Sequence, residues 1–206
     1  MIELYSWTTD NGYKARHGME ESGLPYTLKP INIRKRDQFA PDYLKISPGH
    51  KIPALVDSEG PGGKPISLFE SGAILKYLGV KSGNGLYPQE IGRQFEVDKW
   101  LFWGSATFTT LAQQHGYFHH RCPEDLPFVK NHYTEILRDM LGMLDRHFAE
   151  HEHVAGSYSV ADVAIYADVH VRGLPDIGLG EFPHVQRWHD TIAARPATER
   201  AWTPFG

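Results

Sequence analysis

Lys51-Ile52-Pro53-Ala54-Leu55-Val56-Asp57 is the segment most indicative of a fold, together with Ile66-Ser67-Leu68-Phe69-Glu70-Ser71 beyond a turn rich in glycine and proline. Two short apolar runs around such a turn predict a β-hairpin, and Glu70-Ser71 is expected to begin a helix. An Ile52–Pro53 bond can adopt the cis form at a cost of about 0.5–1 kcal/mol, which would leave the backbone N–H and C=O of Ile52 facing outward. The free N–H groups of a helix start suit a carboxylate. Side by side, these elements predict a site for a short peptide with one free carboxylate and one free amine.

The elements around the hairpin set the order of the first domain. A strand at the N-terminus, a helix that ends before Gly23 and a strand over 26–33 come first. The hairpin strands and a helix from Ser71 to about Gly79 follow. The order is β-α-β and then β-β-α, which is the thioredoxin-like order. Residues 1–80 are therefore predicted to form one α/β domain.

Composition changes at Lys81-Ser82-Gly83-Asn84-Gly85-Leu86-Tyr87-Pro88, so we predict a linker over 81–88. Beyond it the strand signals stop and apolar residues recur at helical spacing, with the last amphipathic helix ending near Arg195-Pro196. Residues 89–206 are therefore predicted to form an all-helical domain. The predicted fold class is α/β plus all-α, with a thioredoxin-like N-terminal domain and an all-helical C-terminal domain.

The composition excludes several classes of protein. The chain has 206 residues, 41% of them hydrophobic, and its formal net charge of −4 implies no basic face for nucleic acid. No apolar run approaches the roughly 20 residues that span a bilayer, and the N-terminus lacks the pattern of a signal peptide. The one cysteine, Cys122, rules out an internal disulfide framework. We therefore expect a cytoplasmic protein that binds neither nucleic acid nor a membrane.

Three motifs carry a resemblance to a known family. They are Thr8-Thr9-Asp10-Asn11-Gly12, Ile46-Ser47-Pro48-Gly49-His50-Lys51-Ile52-Pro53 and Phe69-Glu70-Ser71-Gly72-Ala73-Ile74. Over nearly its whole length the chain resembles the glutathione transferase superfamily, and most of all the bacterial nu-class disulfide-bond oxidoreductases. The resemblance implies the glutathione transferase fold, with glutathione bound as co-substrate in the groove between the two domains. It also implies a homodimer, to which the aromatic first helix of the second domain is expected to contribute.

A thioredoxin-like domain invites a search for Cys-x-x-Cys at the first helix, but this chain has Thr9-Asp10-Asn11-Gly12 there. The thiol must therefore come from a ligand, and the resemblance supplies glutathione. Only the thiolate is nucleophilic, and hydrogen-bond donors at a helix N-terminus lower the pKa of a thiol. The resemblance to the nu class implies that Thr9 and Asn11 are these donors and thus the catalytic residues.

Other interpretations of the same loop stay open. Asp10 and Asn11 are also ordinary residues for capping the first helix. Some classes of the superfamily use Tyr or Ser near this loop, which makes Tyr5, Ser6 and Tyr13 alternative partners of the thiol. Tyr5 falls inside the predicted first strand, so we expect it in the core.

The resemblance assigns six further residues to glutathione: Gln38, Lys51, Ile52, Pro53, Glu70 and Ser71. The Ile-Pro backbone is expected to pair with the cysteinyl part of the peptide, and the Glu-Ser pair to hold the γ-glutamyl amine and carboxylate. The glutamine and the lysine are expected at the glycyl end, the lysine as a point charge on a carboxylate. The alternative for the Glu-Ser pair is a plain helix cap.

The helical domain is expected to form the wall that binds the second substrate. Where the nu class tends to carry an arginine, this chain has His132 in Asn131-His132-Tyr133. An arginine anchors a carboxylate at any pH, whereas a histidine near its ordinary pKa does so weakly. Binding of a second glutathione would thus depend on His132, with Lys130 in support. Three aromatic residues either line an apolar pocket or belong to the core: Trp103, Tyr117 and Phe118.

Two histidine clusters are interpreted as coincidence, so no metal is assigned. His147-Phe148-Ala149-Glu150-His151 fits the H-x-x-E-H pattern of some zinc enzymes, but the sequence specifies no third ligand. A second cluster contains His115, His119 and His120 near Cys122, in a chain with 12 histidines. A metalloenzyme is the alternative that stoichiometric zinc would support. Cys122 is interpreted as an incidental thiol, or else as a partner of glutathione in a mixed disulfide.

The favoured function is thiol–disulfide exchange, in which the thiol of bound glutathione replaces a protein cysteine and attacks a small disulfide. Conjugation of glutathione to an electrophile, a detoxification reaction, needs the same thiolate and is the first alternative. A protein that binds glutathione without efficient catalysis is the second alternative.

Overall fold

The structure is a computed structural model that describes residues 1–172, 174 and 176–203. Its contacts divide the chain into two compact units. The first comprises Met1–Pro88 together with the segment that begins at Pro196, and the second is Gln89–Arg195. In the described part of the chain, no helix combines the length and the apolarity needed to cross a membrane.

The first unit has the predicted thioredoxin-like order. Its strands are β1 (Ile2–Ser6), β2 (Tyr26–Pro30), β3 (Ala54–Asp57) and β4 (Ile66–Phe69), and its helices before the linker are α1 (Asp10–Ser22), α2 (Pro41–Ile46) and α3 (Ser71–Ser82). The four strands lie in the order β2-β1-β3-β4. β1 runs parallel to β2 and antiparallel to β3, and β3 forms the antiparallel hairpin with β4. The hairpin and the mixed sheet confirm the fold expected for this half of the chain.

Strand alternation gives the sheet two different faces. Ile2 and Leu4 of β1 are buried in the core with side chains of α1 and α3, among them Met19 and Leu78. Tyr5, which follows Leu4, points the other way and lies 6.0 Å, ring to ring, from Tyr43 of α2. The sheet therefore has α1 and α3 on one face and α2 on the other.

Helix α1 approaches α3 closely because of one glycine. A Cβ atom added at Gly18 would stand 2.4 Å from the Cδ2 atom of Leu75, far inside van der Waals contact. At its other end α1 stops at Gly23, whose φ of 67° lies in the left-handed region that favours glycine. The predicted end of this helix is confirmed. The two helices that begin beside the candidate site are thus held together by side-chain packing along their lengths.

The second unit is all-helical, as predicted. Its helices are α4 (Ile91–Phe102), α5 (Thr109–His120), α6 (Pro127–Glu150), α7 (Val160–Arg172) and α8 (Pro183–Ala193). A π-helical segment, Trp103–Phe108, joins α4 to α5 without a break. Residues 160–169 of α7 are all buried, and Phe148 of α6 stacks on Trp188 of α8 with ring centroids 4.9 Å apart. The core of this unit is thus built around α7.

The chain end departs from the division that the sequence suggests. Residues 196–201 form a further helix, α9 (Pro196–Ala201), which packs on α1 in the first unit, whereas the sequence analysis assigned 89–206 to the helical domain. A proline ends one helix but is also favoured at the first position of the next, so Pro196 marks a start as well as a stop. Residues 204–206 lie outside the described residues.

Two smaller boundaries also differ from expectation. α3 continues through Ser82 and stops at Gly83, whose φ is 62°, so the first residues of the predicted linker over 81–88 are helical. β2 ends at Pro30, short of the predicted 26–33, although the N–H of Ile31 still donates to the carbonyl of Ser6 at 2.9 Å. Beyond this bond the chain leaves the sheet.

Candidate functional site

The first turn of α1 is capped by Thr9. The Thr9 hydroxyl oxygen accepts a hydrogen bond from the backbone N–H of Gly12 at 3.1 Å, which is the usual role of an N-cap side chain. Asp10 and Asn11, considered as caps in the sequence analysis, are the first two residues of the helix instead. The Asn11 side chain is therefore not used up by capping, and the Thr9 hydroxyl still has its own proton to donate.

This turn is fixed against the end of β1. The Ser6 hydroxyl donates to the carbonyl of Gly12 at 2.9 Å, and the N–H of Thr9 donates to the carbonyl of Trp7 at 2.8 Å. A Cβ atom at Gly12 would lie only 2.0 Å from the Trp7 carbonyl oxygen. Glycine is required at this position because any side chain would push the first turn away from the strand.

The first turn of α3 is built differently. Its N-cap is Glu70, which has φ 74° and ψ 117° and whose side chain makes no capping hydrogen bond. A positive φ is uncommon for a residue with a side chain and is often found at functional sites. Glu70 is exposed and Ser71 is buried. The Glu70 carboxylate therefore leaves the N–H groups of this turn without a side-chain cap.

The two helix starts meet at Asn11 and Ser71. The Ser71 hydroxyl donates a hydrogen bond to the Oδ1 atom of Asn11 at 3.3 Å. Because Oδ1 accepts this bond, the Nδ2 group of Asn11 is the end of the amide that is turned to other partners. The structure therefore brings together the residue predicted to donate to a thiol and a residue predicted to hold a carboxylate.

The predicted Ile-Pro site lies on the loop that leads into β3. The Ile52–Pro53 peptide bond is cis. The carbonyl of Lys51 accepts hydrogen bonds from the Tyr43 hydroxyl at 2.7 Å and from the Ser47 hydroxyl at 2.8 Å. Among the described residues, the backbone N–H and C=O of Ile52 have no hydrogen-bond partner. An extended peptide could pair with both groups.

Tyr43 and Ser47 were not identified from the sequence as residues that support the site. Both hydroxyl groups hold the same carbonyl, so they fix the loop just before Ile52. The available signal was two hydroxyl side chains, one within a predicted short helix and one just after it, followed by Pro48. The same pattern is typical of an ordinary loop, so it does not mark these two residues as part of a site.

Gln38 and Lys51 lie on the neighbouring loops. The Oε1 atom of Gln38 is buried and has no partner among the described residues, and the Lys51 side chain is exposed. Next to Gln38, Phe39 stacks on His50 with ring centroids 4.8 Å apart, and the Arg36 guanidinium lies 4.6 Å from the Phe39 ring centroid. Arg36 and Lys51 therefore place two cationic side chains on this edge of the first unit.

The alternative partners of a thiol are engaged elsewhere. Tyr5 is half-buried rather than in the core, and its hydroxyl donates to Glu3 at 2.9 Å. Burial, with the Glu3 carboxylate nearby, raises the pKa of Tyr5. The hydroxyl of Ser6 is committed to the Gly12 carbonyl, and the ring of Tyr13 stacks on Trp202 at 4.2 Å. Thr9 and Asn11 are the candidates that present donors at the helix start.

The second-pocket candidates, His132 and Lys130, both belong to the first turns of α6 in the second unit. Lys130 forms an ion pair with Asp125 at 2.7 Å, so its charge is already partly compensated. His132 is exposed and its ring lies 5.5 Å from that of Tyr133, which in turn stacks on Phe118. Phe118 and Tyr133 thus form an aromatic cluster beside the exposed histidine.

The histidine motif of α6 brings two imidazole rings together. His147 and His151 lie one turn apart with ring centroids 4.5 Å apart, and the His147 ring also contacts Trp100. Burial lowers the pKa of His147. Within the residues that the structure describes, no group of three or more His, Cys, Asp or Glu side chains is placed to hold a metal ion. Cys122 is a half-buried free thiol.

The chain is similar to proteins of a known family along nearly its whole length. Residues 11–81 match the family model described as the glutathione S-transferase N-terminal domain. The chain is 37% identical over 203 residues to disulfide-bond oxidoreductase YfcG of Escherichia coli (strain K12), covering 98% of this chain and 94% of that protein.

Two solved structures resemble this chain throughout. A glutathione transferase family member from Pseudomonas fluorescens pf-5, solved with two glutathione bound, superposes with a TM-score of 0.91 at 36% identity, covering 97% of this chain and 91% of that one. A glutathione transferase from Pseudomonas putida, solved with one glutathione disulfide bound per subunit, has a TM-score of 0.92 at 34% identity, covering 100% and 92%.

Proposed function

We propose that this chain, which belongs to the glutathione S-transferase family, is a glutathione-dependent thiol–disulfide oxidoreductase. In this function the thiol of bound glutathione takes the place of a protein cysteine. The similarity to a disulfide-bond oxidoreductase over almost the whole of both chains supports the choice of reaction. The structures of relatives with glutathione or glutathione disulfide bound support the co-substrate.

The observation that carries the proposal is the contact between Asn11 and Ser71. A peptide whose carboxylate sits on the first turn of α3 has its next residue beside the first turn of α1. The Ser71 hydroxyl turns the Asn11 amide so that Nδ2 is offered as a donor. With the proton of the Thr9 hydroxyl, two donors then face the cysteinyl sulfur. Hydrogen bonds to the charged form lower a thiol pKa and keep the sulfur as thiolate.

Residues 1–80 supply the remaining contacts to glutathione in this proposal. The unpaired backbone of Ile52, held in place by Pro53, pairs with the cysteinyl residue. The Glu70 carboxylate binds the γ-glutamyl ammonium group while the Ser71 turn binds its carboxylate. At the other end, Gln38 and Lys51 bind the glycyl residue: the buried Oε1 atom of Gln38 accepts an N–H, and Lys51 offers a positive charge.

The reaction is a thiol–disulfide exchange with a balanced outcome. The glutathione thiolate attacks one sulfur of a small disulfide, a new S–S bond forms, and the other sulfur leaves as a thiolate that takes up a proton. A second glutathione thiol then attacks the mixed disulfide, which yields glutathione disulfide and the second free thiol. The disulfide is reduced by two electrons and two glutathiones are oxidised.

The second glutathione is proposed to bind near His132. An exposed imidazole is a weak anchor for a carboxylate at neutral pH, and the Lys130 charge is shared with Asp125. The aromatic cluster of Phe118 and Tyr133 provides an apolar surface beside it. We therefore expect the second glutathione to bind more weakly than the first.

We further propose that the protein is a homodimer. One face of α4 exposes large apolar side chains at Ile91, Phe95 and Phe102, which are 62%, 67% and 63% exposed. Their spacing places them along one stripe of the helix. A second copy of the chain would cover this stripe, which is otherwise costly to leave in water.

The cellular role is proposed to be in the cytoplasm. A chain with a single cysteine cannot form an internal disulfide, so an oxidising compartment would not stabilise its fold. The reducing cytoplasm also maintains the glutathione that the reaction consumes. Detoxification of small disulfides or electrophiles is the role that fits this chemistry.

The function is tested by turnover of the purified protein. Reduction of 2-hydroxyethyl disulfide by glutathione is measured beside conjugation of glutathione to chloro-dinitrobenzene, with Asn11→Ala as the matched variant in both assays. Fast disulfide reduction and slow conjugation, both lowered by Asn11→Ala, support the proposal. Conjugation alone would make the protein an ordinary transferase. No turnover in either assay, with glutathione still bound, would leave a binding protein.

A further inference from the structure

The segment from Pro196 to Thr203, called the C-terminal strap below, lies along α1 within the first unit. Ala197, Thr198 and Ala201 of the strap are buried. Its polar contacts reach the second half of α1: the Thr198 hydroxyl lies 2.9 Å from Nε2 of His17, and the Nε atom of Arg200 donates to Glu20 at 2.8 Å. The strap therefore belongs structurally to the helix that carries the proposed thiol donors.

The end of the strap reaches the first half of the same helix. The Arg16 guanidinium donates to the carbonyl and to the hydroxyl of Thr203, each at 2.6 Å. Arg16 is almost fully buried and its charge strengthens both hydrogen bonds, which are partly buried and tie the strap to α1. Next to them the Trp202 ring stacks on Tyr13, with centroids 4.2 Å apart and planes 19° apart.

Tyr13 belongs to the turn that presents the donors. Its backbone N–H donates to the carbonyl of Thr9 at 2.8 Å, the first hydrogen bond of the helix. In the same turn, the N–H of Gly12 donates to the Thr9 hydroxyl. Asn11 lies between Thr9 and Gly12 in sequence, so its backbone is part of the turn that these bonds close. The Trp202 ring, which packs on Tyr13, therefore restrains the backbone that orients Thr9 and Asn11.

The first turn is thus held from two sides. From β1 it is held by the hydroxyl of Ser6, which donates to the Gly12 carbonyl. From the strap it is held by Trp202, through the face-to-face contact with Tyr13. A turn that is packed on both sides keeps its side chains in one orientation, which is what hydrogen bonds to a thiolate require.

We propose that Trp202, at the end of the C-terminal strap, is a positioning residue for glutathione activation: by stacking on Tyr13 it fixes the turn from which Thr9 and Asn11 donate to the sulfur. This inference rests on the proposed function, because it assumes that these two residues lower the thiol pKa. Trp202 touches neither the substrate nor the reacting atoms. Its effect is on the pKa of the bound thiol and on kcat, rather than on the affinity for glutathione with a protonated thiol.

The test is the pKa of the bound glutathione thiol, followed by the ultraviolet absorbance of the thiolate during a pH titration of the full chain. Trp202→Ala is expected to raise this pKa by about 0.5–1 unit, which is roughly a three- to tenfold loss of thiolate at a fixed pH below the pKa. The dissociation constant of glutathione, measured at a pH below the pKa of the bound thiol, should change less than about threefold, because the Ile52, Glu70 and Ser71 contacts are untouched. Trp202→Phe keeps a stacking ring and should restore the wild-type pKa.

Two further variants show whether a change in the thiol pKa comes from the end of the strap. Thr203→Ala removes one of the two Arg16 acceptors and, at an exposed position, is a mild change that should raise the thiol pKa by a smaller amount. Arg200→Gln breaks the contact with Glu20 at the far end of α1 and is the matched control, with an unchanged thiol pKa. Circular dichroism and the thermal midpoint of each variant identify any loss of fold.

The two proposals fail in different ways. If wild-type protein binds glutathione but leaves its thiol pKa unperturbed, or if Asn11→Ala does not raise it, the proposed function is wrong. If Asn11→Ala raises the pKa while folded Trp202→Ala and Thr203→Ala both leave it at the wild-type value, only the positioning role of Trp202 is overturned. An equal rise with Arg200→Gln would also overturn it, because the strap would then act only through general stability.

Discussion

The first turns of α1 and α3 meet at one hydrogen bond, yet they are built in opposite ways. The α1 turn is capped by Thr9 and its third residue is the glycine that allows close contact with β1. The α3 turn has no side-chain cap, and Glu70 holds a backbone conformation that favours glycine. The start of α1 is stable and offers side-chain donors, whereas the start of α3 is strained and offers backbone N–H groups. The difference matches the two groups of glutathione that they are proposed to hold, a thiolate and a carboxylate.

The largest expected effect comes from removing the donor of the α1 turn. Asn11→Ala should lower kcat/KM for disulfide reduction by about 10- to 100-fold, because the thiolate loses a hydrogen bond that the site holds ready for it. Asn11→Asp should be at least as damaging, since a carboxylate repels the thiolate and cannot donate when ionised. Steady-state kinetics with both variants check this ranking. A fully active Asn11→Asp protein would contradict the role of the amide.

A substitution in the α3 turn is expected to weaken glutathione binding and at the same time to raise the stability of the fold. Glu70→Gly removes the carboxylate and also relieves the positive φ, so we expect glutathione affinity to fall about tenfold while the thermal midpoint rises. The free energy of unfolding should increase by about 1 kcal/mol, the lower end of the usual cost of such backbone strain. Glu70→Gln keeps the backbone and should weaken binding without this gain.

Calorimetric titration and thermal unfolding of the two Glu70 variants separate the two effects. A Glu70→Gly protein that is less stable than wild type would show that this backbone conformation carries no cost. A Glu70→Gly protein that binds glutathione normally would remove the carboxylate from the proposed site.

Thr9 tests whether one hydroxyl serves both as cap and as donor. Thr9→Val keeps the shape but loses the cap, so the free energy of unfolding should fall by about 1 kcal/mol, and disulfide reduction should slow several-fold. Thr9→Ser retains the hydroxyl and should be close to wild type in both measurements. A Thr9→Val protein with reduced stability but full activity would confine Thr9 to a capping role and leave Asn11 as the donor.

The smallest effect on activity is expected at the opposite end of α3. The carboxylate of Asp57 accepts hydrogen bonds from the Tyr77 hydroxyl at 2.6 Å and pairs with Lys81 at 2.5 Å. Burial raises the pKa of Asp57, but the bonds from Lys81 and Tyr77 outweigh it and bring the pKa to about 2. Because this folded value lies below the ordinary one, the group stabilises the fold above about pH 4, and that contribution is lost as the pH falls towards about 2.

Lys81→Met should therefore destabilise the protein more at pH 7 than near pH 3, with little change in disulfide reduction at neutral pH. Thermal unfolding across this pH range measures the difference. Lys99→Met is the matched control, because Lys99 pairs with Glu96 on an exposed surface and should show almost no effect. Equal losses of stability for Lys81→Met at both pH values would contradict the pKa argument.

The sequence was sufficient to predict the elements whose signals are local. The hairpin around a glycine- and proline-rich turn, the end of α1 at Gly23 and the helical periodicity of the second unit are all encoded by neighbouring residues. The strap is different. Whether the residues after Pro196 pack on the helical unit or return to α1 depends on contacts such as Thr203 with Arg16, which are far apart in sequence.

The candidate site shows the same limit. Sequence motifs were enough to identify Asn11 and Ser71 as candidates, but the contact between them is visible only in the structure. The structure also shows that Thr9 caps α1, where the sequence suggested Asp10 or Asn11. Tyr5 was expected in the core because it falls in a strand, but strand alternation turns it to the opposite face from Ile2 and Leu4. The packing of whole helices decides which face of the sheet is more deeply buried, and the sequence of one strand does not specify it.

A crystal structure of the protein with bound glutathione would show which groups contact the sulfur. We predict the cysteinyl sulfur within about 3.5 Å of both the Thr9 hydroxyl and the Nδ2 group of Asn11, with the γ-glutamyl carboxylate on the Ser71 turn. A sulfur that instead lies against Ser6 or Tyr13, or a peptide bound with its γ-glutamyl group away from Glu70 and Ser71, would contradict it.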